Sequence, residues 1–471
     1  MIDIHEYKDA EKVFYFFEEI SKIPHASENT AQIADYLENF AKDRGLFCIR
    51  DKSDNVIIRK SATVGYESSP AVIFQGHTDM VADKVKGCDI DMDREGLRLY
   101  RDGDFLRAEG TTLGGDDGVA LAYALAVLDS DDIPHPEFEA LFTSDEEIGL
   151  LGATALDTSP LHGKLMINID SDDEGVFTVG CAGGMRIDTK IDAKPAYETV
   201  SGFTLTVSGL RGGHSGTEID KGRSNAIKIM AGILGKLTGV RISSVCGGNA
   251  DNAIPRSAEC VFTCDNADIL PDLINAAYSE NTNEPDIRIS YEKTDNIQKA
   301  YSKDSSERFI GLLNMLPSGV IAMSSEISGL VETSANLGIV SGDGDALTAS
   351  LSIRSSKNAA KEELRLSIRG MAESFGASVF ERGAYPAWEY RKESRLRDIM
   401  SKTYSDMYGK NPEIITIHAG LECGIFSDKI EGLDCVSMGP DNFDIHTPDE
   451  RLSISSTARV WEYLKEVLKR L

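Results

Sequence analysis

Helix-like and strand-like patterns alternate along the first third of the chain, and this alternation restricts the fold more than any other sequence feature. Apolar residues recur at helical spacing over residues 12–20 and 30–46. Short apolar runs then follow, at 56–58, 71–74, 140–142 and 165–167. A helix rich in small residues, 118–128, separates the second run from the third. Because strands separated by helices form parallel sheets, the pattern predicts an α/β domain with a mostly parallel sheet.

The pattern changes in the middle of the chain. Apolar and polar side chains alternate over 203–207 and over 347–353, which is typical of antiparallel strands with one solvent-facing side. Between these segments, Ser224 is expected to cap a helix whose apolar face begins at Ile227. This part of the chain therefore reads as a separate α+β domain.

The length of 471 residues exceeds what one hydrophobic core usually serves. The apolar run 435–438 near the end of the chain suits a further strand of the first sheet. We therefore predict a discontinuous first domain, formed by residues 1–185 and 384–471, with an inserted α+β domain at residues 186–383.

Composition excludes several classes of function. A net charge of -28 repels phosphate backbones and anionic lipid, so neither nucleic acid nor a membrane surface is an expected partner. No run of eighteen apolar residues and no basic leader segment is present, and the eight cysteines are scattered without a Cys-x-x-Cys pair. We expect a soluble, cytoplasmic protein with reduced thiols.

Histidine and acidic residues cluster in five short stretches that follow strands or open a helix. The stretches are 75–80, 113–118, 144–149, 169–171 and 444–448. Each alone could be an ordinary capped turn or a solvated acidic loop. Together they can meet at the carboxyl edge of one sheet, where open α/β folds place their sites, and they match the ligands of Zn²⁺ or Mn²⁺.

The sequence resembles the dinuclear zinc aminopeptidase-like hydrolases, a family that includes aminoacylase, cytosolic dipeptidases and tripeptidase. Within it the chain is most similar to the dipeptidases that cleave aminoacyl-histidine. The resemblance runs nearly end to end, through 23–27, 75–80, 111–118, 145–149, 180–184, 210–216 and 417–424. It implies a zinc-aminopeptidase-like catalytic domain with an inserted α+β lid or dimerisation domain.

The resemblance also implies a ligand set. His77, Asp116 and Asp170 would bind one metal ion, and Asp116, Glu147 and His446 would bind the other, with Asp116 as the bridge. Two divalent ions per subunit would balance three carboxylates and a bridging hydroxide. Without cations, carboxylates about 5 Å apart would repel by roughly 3 kcal/mol per pair at an effective dielectric near 20. Zn²⁺ is the expected metal, and Mn²⁺ and Co²⁺ suit the same ligands.

By the same resemblance, Glu146 would be the general base and Asp79 would orient His77. Two bound metals would lower the pKa of a water, and Glu146 would accept the proton of that water as it attacks the scissile carbonyl and would then protonate the leaving amine. Glu147 would bind the metal, which would leave its neighbour Glu146 free to transfer the proton.

Five further residues are candidates for substrate binding: His214, Asn252, Arg354, His418 and Glu422. The family suggests that His214 stabilises the oxyanion in the partner subunit's site. The planar guanidinium group of Arg354 suits a substrate carboxylate, and the carboxylate of Glu422 suits a free substrate amine. A loop histidine, a turn asparagine and a surface arginine are the plainer readings of His214, Asn252 and Arg354.

The expected function is metal-dependent hydrolysis of unblocked dipeptides, including those with a C-terminal histidine. An N-acyl-amino-acid deacylase or a tripeptidase on the same scaffold is the alternative. A non-catalytic peptide-binding homologue is a further alternative, disfavoured because Glu146 and every expected ligand are present. A small peptide substrate and a homodimer formed through the inserted domain complete the expectation.

Overall fold

The computed structural model describes residues 5–342 and 344–471, which form two compact units. The first unit contains Met1–Gly180, Tyr390–Thr416 and Leu421–Leu471, and the second contains Cys181–Glu389 and Ile417–Gly420. Residues 1–4, on which the expectation about a leader segment rests in part, lie outside the described residues. Among the described helices, none has the length and apolar character needed to cross a membrane.

The first unit is built from helices around an eight-stranded sheet. Its α helices are α1 (Glu11–Ser21), α2 (Ala31–Asp43), α3 (Gly115–Leu128), α4 (Leu151–Ala155), α9 (Arg395–Tyr408), α10 (Glu422–Lys429) and α11 (Ile454–Arg470), and a 3-10 helix spans His5–Ala10. The strands of the large sheet are β1 (Phe47–Arg50), β2 (Val56–Lys60), β3 (Val72–His77), β6 (Phe138–Thr143), β7 (Leu165–Asn168), β8 (Val176–Cys181), β20 (Glu413–Ile417) and β21 (Asp434–Ser437). A smaller sheet contains β4 (Leu99–Asp102), β5 (Phe105–Ala108), β22 (Asn442–Phe443) and β23 (Arg451–Ser453).

The order of the large sheet is β1-β2-β6-β3-β7-β21-β8-β20. Its centre, β6-β3-β7-β21, is parallel, and β1, β2 and β8 pair antiparallel around it. The predicted α/β class with a mostly parallel central sheet is therefore confirmed. β21 comes from the end of the chain and lies between β7 and β8, which are consecutive in sequence.

Helix α3 packs closely on strand β3. Its residues from Gly118 to Leu128 are all buried, as the small side chains indicated. A Cβ placed at Gly76 of β3 would lie 2.4 Å from the Cβ of Ala120 and 2.5 Å from Oδ2 of Asp117. The close approach therefore depends on glycine at this position. The bounds of the helix begin at Gly115, three residues before the predicted start, but Asp116 and Asp117 have non-helical backbone angles, so the regular helix follows them.

The second unit is an antiparallel sheet with helices. Its strands are β9 (Gly183–Asp192), β10 (Ala196–Ser208), β11 (Gly213–His214), β12 (Arg241–Gly247), β13 (Ala253–Ile254), β14 (Ala258–Thr263), β15 (Arg288–Ala300), β16 (Gly319–Met323), β17 (Val331–Gly342), β18 (Ala346–Ser355) and β19 (Ser378–Tyr385). Its α helices are α5 (Ala226–Leu234), α6 (Leu270–Glu280), α7 (Lys303–Met315) and α8 (Asn358–Ser374), and 3-10 helices span Ile219–Lys221 and Ala267–Ile269.

The main sheet of the second unit has the order β15-β10-β14-β12-β17-β18-β9-β19, and β16 pairs with β17. All of these pairings among the described residues are antiparallel, as the alternating pattern predicted. The predicted cap of α5 is wrong by one residue. Asn225, rather than Ser224, accepts the N–H groups of Ile227 and Lys228, because its side chain reaches both donors.

Candidate active site

The predicted site residues of the first unit follow three parallel strands at one edge of the sheet. β3 ends at His77, β6 ends three residues before Glu146, and β7 ends two residues before Asp170. The strands are neighbours and run in the same direction, so their carboxyl ends present these side chains together.

Asp116 lies between two histidines. Its Oδ1 is 2.9 Å from Nε2 of His77, and its Oδ2 is 3.0 Å from Nε2 of His446. His446 Nε2 is also 2.8 Å from Oε1 of Glu147. Burial would raise the pKa of Asp116, but the hydrogen bonds from His446 and His77 outweigh burial and lower that pKa. One carboxylate thus joins two groups of side chains.

The side chains at this edge form three sets that could each hold a metal ion, of which two share Asp116 and the third joins His77, Glu146 and Glu147. Nitrogen and carboxylate oxygen atoms of His77, Asp116 and Asp170 lie within 4.8 Å of one another, and so do those of Asp116, Glu147 and His446. Oδ2 of Asp170 is buried and has no hydrogen-bond partner among the described residues. A buried carboxylate oxygen without a donor fits a cation, and histidine with carboxylate is a donor set that Zn²⁺ accepts.

The acidic surroundings change the protonation of both histidines. Burial lowers the pKa of His77, but the hydrogen bonds to Asp116 and Asp79 outweigh burial and raise it. Hydrogen bonds to Asp116 and Glu147 raise the pKa of His446 to about 10. Since a metal binds the neutral imidazole, loading these residues would release protons, and metal affinity should fall at low pH.

Asp79 connects the ends of β3 and β6. Its Oδ1 accepts the N–H of Glu146 at 2.9 Å, and its Oδ2 accepts the N–H of Glu147 at 3.3 Å and the hydroxyl of Ser27 at 2.8 Å. Nδ1 of His77 lies 2.9 Å from the backbone oxygen of Asp79 and 3.5 Å from Oδ1. Asp79 therefore fixes the backbone of both glutamates and lies beside the imidazole of His77.

Glu146 is chemically distinct from its neighbour Glu147. Its carboxyl group has a pKa raised to about 8, chiefly by burial. A carboxylate with a pKa near neutrality can both take and return a proton at physiological pH. The geometry thus gives Glu147 a contact with His446 and leaves Glu146 suited to acid–base chemistry.

Glu450 is a residue of this site that the sequence analysis missed. Its two carboxylate oxygens accept the backbone N–H groups of Leu113, Gly114, Gly115 and Asp116 at 2.7, 2.9, 2.9 and 3.2 Å. The side chain is 2% exposed. Glu450 thus fixes the loop that carries Asp116, and it lies four residues after His446. The sequence signal for Glu450 is limited to this four-residue spacing from His446.

Glu422 is fully buried in the first unit. Its Oε2 accepts hydrogen bonds from Nε2 of Gln75 at 2.5 Å and from the hydroxyl of Thr143 at 2.6 Å. Burial raises its pKa to about 7. Gln75 and Thr143 are close to the ends of β3 and β6, so Glu422 lies near the strand ends that carry the site.

The other four predicted substrate-binding residues lie in the second unit. His214 pairs with Ala253, the residue after Asn252, in the ladder between β11 and β13. Burial lowers the pKa values of His214 and His418, the latter to about 4, and the charge of Arg354 lowers both further. Burial and the nearby guanidinium of Arg354 therefore favour the neutral form of both imidazoles.

The tautomer of His214 follows from its contacts. Its Nδ1 accepts the backbone N–H groups of Gly216 at 3.3 Å and Thr217 at 3.2 Å. The proton of a neutral ring is then on Nε2, which becomes a hydrogen-bond donor. His214 is thus prepared to donate to an oxygen.

A second acidic group in the first unit does not resemble a metal site. Glu137, Glu139 and His162 also lie within 4.8 Å of one another, at the opposite end of β6. Glu139 accepts Nε of Arg59 at 3.1 Å and the backbone N–H groups of His162 and Gly163. Its oxygens are already paired with donors, so this group differs from the one at the carboxyl edge.

A family model decides which group of proteins this chain belongs to. The model described as peptidase family M20/M25/M40 matches residues 73–470, which is most of the chain. The chain belongs to peptidase family M20/M25/M40. The predicted family resemblance is thereby confirmed, and the chain is a member of a hydrolase family.

Known members of the M20/M25/M40 family cover almost the whole chain. This chain is 36% identical over 470 residues to the cytosol non-specific dipeptidase of Escherichia coli K12. The aligned region covers 97% of this chain and 96% of that protein. The crystal structure of aminoacylhistidine dipeptidase from Vibrio alginolyticus superposes with a TM-score of 0.90 at 35% identity, over 98% and 96% of the two chains. An aminopeptidase from Bacillus cereus shares the fold, with a TM-score of 0.59 at 18% identity over 98% of each chain.

Proposed function

We propose that this protein is a two-metal dipeptidase that hydrolyses the peptide bond of unblocked dipeptides, including those with a C-terminal histidine. The observation that carries the proposal is the position of Asp116, whose two oxygens each contact a different histidine within two adjoining ligand sets. The dipeptidase activities for which the Escherichia coli and Vibrio alginolyticus relatives are named support the substrate class.

We assign His77, Asp116 and Asp170 to one cation and Asp116, Glu147 and His446 to the other. Zn²⁺ is the proposed metal, and Mn²⁺ or Co²⁺ suits the same nitrogen and oxygen donors. Two such cations supply a water of lowered pKa and polarise the scissile carbonyl. Asp79 and Glu450 keep the loops that carry these donors in place.

Glu146 moves the proton. As a carboxylate it accepts the proton of the attacking water and then delivers it to the leaving amine, and burial, which raises its pKa, favours the protonated state between these two steps. His214 donates its Nε2–H to the oxyanion, in the partner subunit's site of a homodimer. Arg354 pairs with the substrate carboxylate, Glu422 pairs with the free substrate amine, and Asn252 and His418 contact the substrate.

The proposed homodimer forms through the second unit, which corresponds to the predicted lid or dimerisation domain. The strand β16 supports this, because its apolar side chains Val320, Ile321 and Met323 are 37, 47 and 49% exposed. Exposed apolar side chains on a strand favour association with another surface. We place the protein in the cytoplasm, which agrees with eight cysteines that form no disulfide among the described residues and with the cytosol relative.

A substrate panel tests the activity. Metal-stripped protein is given Zn²⁺ or Mn²⁺ and offered β-Ala-His, Gly-His, Leu-Gly, a tripeptide and an acetylated amino acid. We expect metal-dependent cleavage of the unblocked dipeptides alone. Cleavage of the acetylated amino acid would instead identify a deacylase, cleavage of the tripeptide alone a tripeptidase, and binding without any cleavage a non-catalytic homologue.

The substitution Glu146→Gln tests the proton transfer. We expect kcat to fall about 10³-fold, because general acid–base groups contribute roughly 10² to 10⁴. Metal content, measured by inductively coupled plasma mass spectrometry, should stay at the wild-type level. Glu137→Gln at the opposite end of β6 is the matched control and should keep full activity. An active Glu146→Gln protein would refute the assignment.

A further inference from the structure

Four residues lie in register across four neighbouring strands of the second unit. Ser334 of β17 pairs with Arg354 of β18, Arg354 pairs with Gly184 of β9, and Gly184 pairs with Tyr385 of β19. Residues paired in this way present their side chains on the same face of the sheet. Arg354 and Tyr385 are therefore separated by one position, and that position is glycine.

The missing side chain at Gly184 makes room for the ring of Tyr385. A Cβ at Gly184 would lie 2.5 Å from Oη and 2.6 Å from Cζ of Tyr385. The ring therefore lies across position 184. The hydroxyl oxygen of Tyr385 accepts a hydrogen bond from Nη1 of Arg354 at 2.9 Å. Any larger residue at 184 would push the phenol away from the guanidinium.

A second glycine confines the same ring from the loop 417–420. A Cβ at Gly420 would lie 2.7 Å from Cε2 of Tyr385. The loop is attached to the same row of residues, since Nε2 of His418 is 2.7 Å from the hydroxyl oxygen of Ser334. Gly184 and Gly420 belong to two of the stretches, 180–184 and 417–424, that carry the family resemblance, and the proposed chemistry gives neither glycine a role.

The contact with Tyr385 uses one side of the guanidinium only. Tyr385 holds Nη1, whereas Nε of Arg354 is buried and has no hydrogen-bond partner among the described residues. An arginine held at one nitrogen keeps its remaining N–H groups in a fixed plane, which suits a carboxylate bound through two parallel hydrogen bonds.

We propose that Tyr385, confined between Gly184 and Gly420, is a positioning residue that orients Arg354 and thereby sets the selectivity for substrates with a free C-terminal carboxylate. The inference depends on the proposed function, in which Arg354 binds that carboxylate. Tyr385 itself acts through Arg354 and does not take part in the proton transfer.

The test compares Leu-Gly with its C-terminal amide, using metal-loaded protein. Tyr385→Phe removes only the phenol oxygen, and we expect KM for Leu-Gly to rise about tenfold with kcat within about twofold, because one hydrogen bond to a charged group is lost. The preference for Leu-Gly over the amide should fall by a similar factor. A purely structural role would change both substrates equally. Tyr278→Phe, which removes a phenol bonded to Ile289 in the same unit, is the control and should keep the preference.

The variant Arg354→Gln separates the positioning role of Tyr385 from the binding of the substrate carboxylate by Arg354. If Tyr385 acts through Arg354, the double variant Arg354→Gln/Tyr385→Phe should be no worse than Arg354→Gln alone. Additive losses, or an unchanged KM in Tyr385→Phe while Arg354→Gln raises KM, would overturn the inference and leave the proposed function intact. An Arg354→Gln protein with wild-type KM and wild-type preference would instead overturn the proposed binding of the carboxylate by Arg354.

Discussion

At the residue scale, Glu450 shows how a side chain outside both ligand sets can control them. It binds four consecutive backbone N–H groups, which end at Asp116. A carboxylate is the side chain best suited to four donors, because both of its oxygens only accept. An amide in its place would turn an N–H group toward some of them.

Glu450→Gln should therefore weaken metal binding. We expect an affinity loss of about 10- to 100-fold, as is typical when a group that supports a ligand is lost. Competition with a chromogenic chelator measures the affinity without a substrate. Asp449→Asn, the exposed neighbour, should bind metal like the wild type. Equal affinities for all three proteins would show that Asp116 keeps its position without Glu450.

Glu422 should make stability depend on pH. Its pKa is raised by burial from 4.5 to about 7, so the folded protein holds a proton that the unfolded chain releases. The stabilising contribution is complete below pH 4.5 and is lost as the pH rises through 7. The loss amounts to about 3 kcal/mol, at 1.36 kcal/mol for each unit of pKa.

Urea unfolding of the metal-stripped protein at pH 5 and pH 8 measures this effect. The decrease in unfolding free energy from pH 5 to pH 8 should be smaller in Glu422→Gln by about 3 kcal/mol, because glutamine does not ionise. The exposed Glu431→Gln variant should keep the wild-type decrease. A decrease in Glu422→Gln equal to that of the wild type would contradict the burial argument.

At the scale of elements, the contact between α3 and β3 sets the position of two site residues. His77 ends β3, and Asp116 lies in the first turn of α3. Gly76→Ala would place a methyl group 2.4 Å from Ala120. We expect a loss of about 2 kcal/mol in unfolding free energy, within the range for overpacked cores, together with reduced activity.

The same substitution at Gly370 is the matched control for Gly76→Ala. Gly370 is an exposed position of α8 with no atom within 4 Å of an added Cβ. Alanine there should raise the unfolding free energy by up to about 1 kcal/mol, because glycine is a poor helix former. Thermal unfolding followed by circular dichroism gives both values. A stable Gly76→Ala protein would show that α3 can move away from β3.

The sequence was sufficient to predict those elements whose signals lie within a short segment of the chain. The strand ends that present His77, Glu146 and Asp170 follow from short apolar runs, because the run and the polar residue after it are adjacent in sequence. The contacts of Glu450 and the row formed by Arg354 and Tyr385 join segments far apart in the chain. Such contacts depend on the pairing register of distant strands, which periodicity alone does not determine.

At the scale of the whole molecule, the proposed homodimer gives a separate prediction. Ile321→Glu puts a charge among the exposed apolar side chains of β16 and should convert dimers to monomers in multi-angle light scattering. Leu366→Glu, on an equally exposed position of α8, should remain dimeric. If the wild type is monomeric, His214 has no partner subunit to act in.

The insertion of β21 between β7 and β8 has a consequence for protein synthesis. About 250 residues separate β8 from β21, and a ribosome adding roughly 5 to 20 residues per second needs about 13 to 50 seconds to cover them. Throughout that time the nascent chain has made β7 but not the strand that lies beside it, and His446 has not yet been added. A polypeptide released early would lack one ligand set and expose an unpaired strand edge. The arrangement thus delays hydrolytic activity until nearly the whole message has been translated.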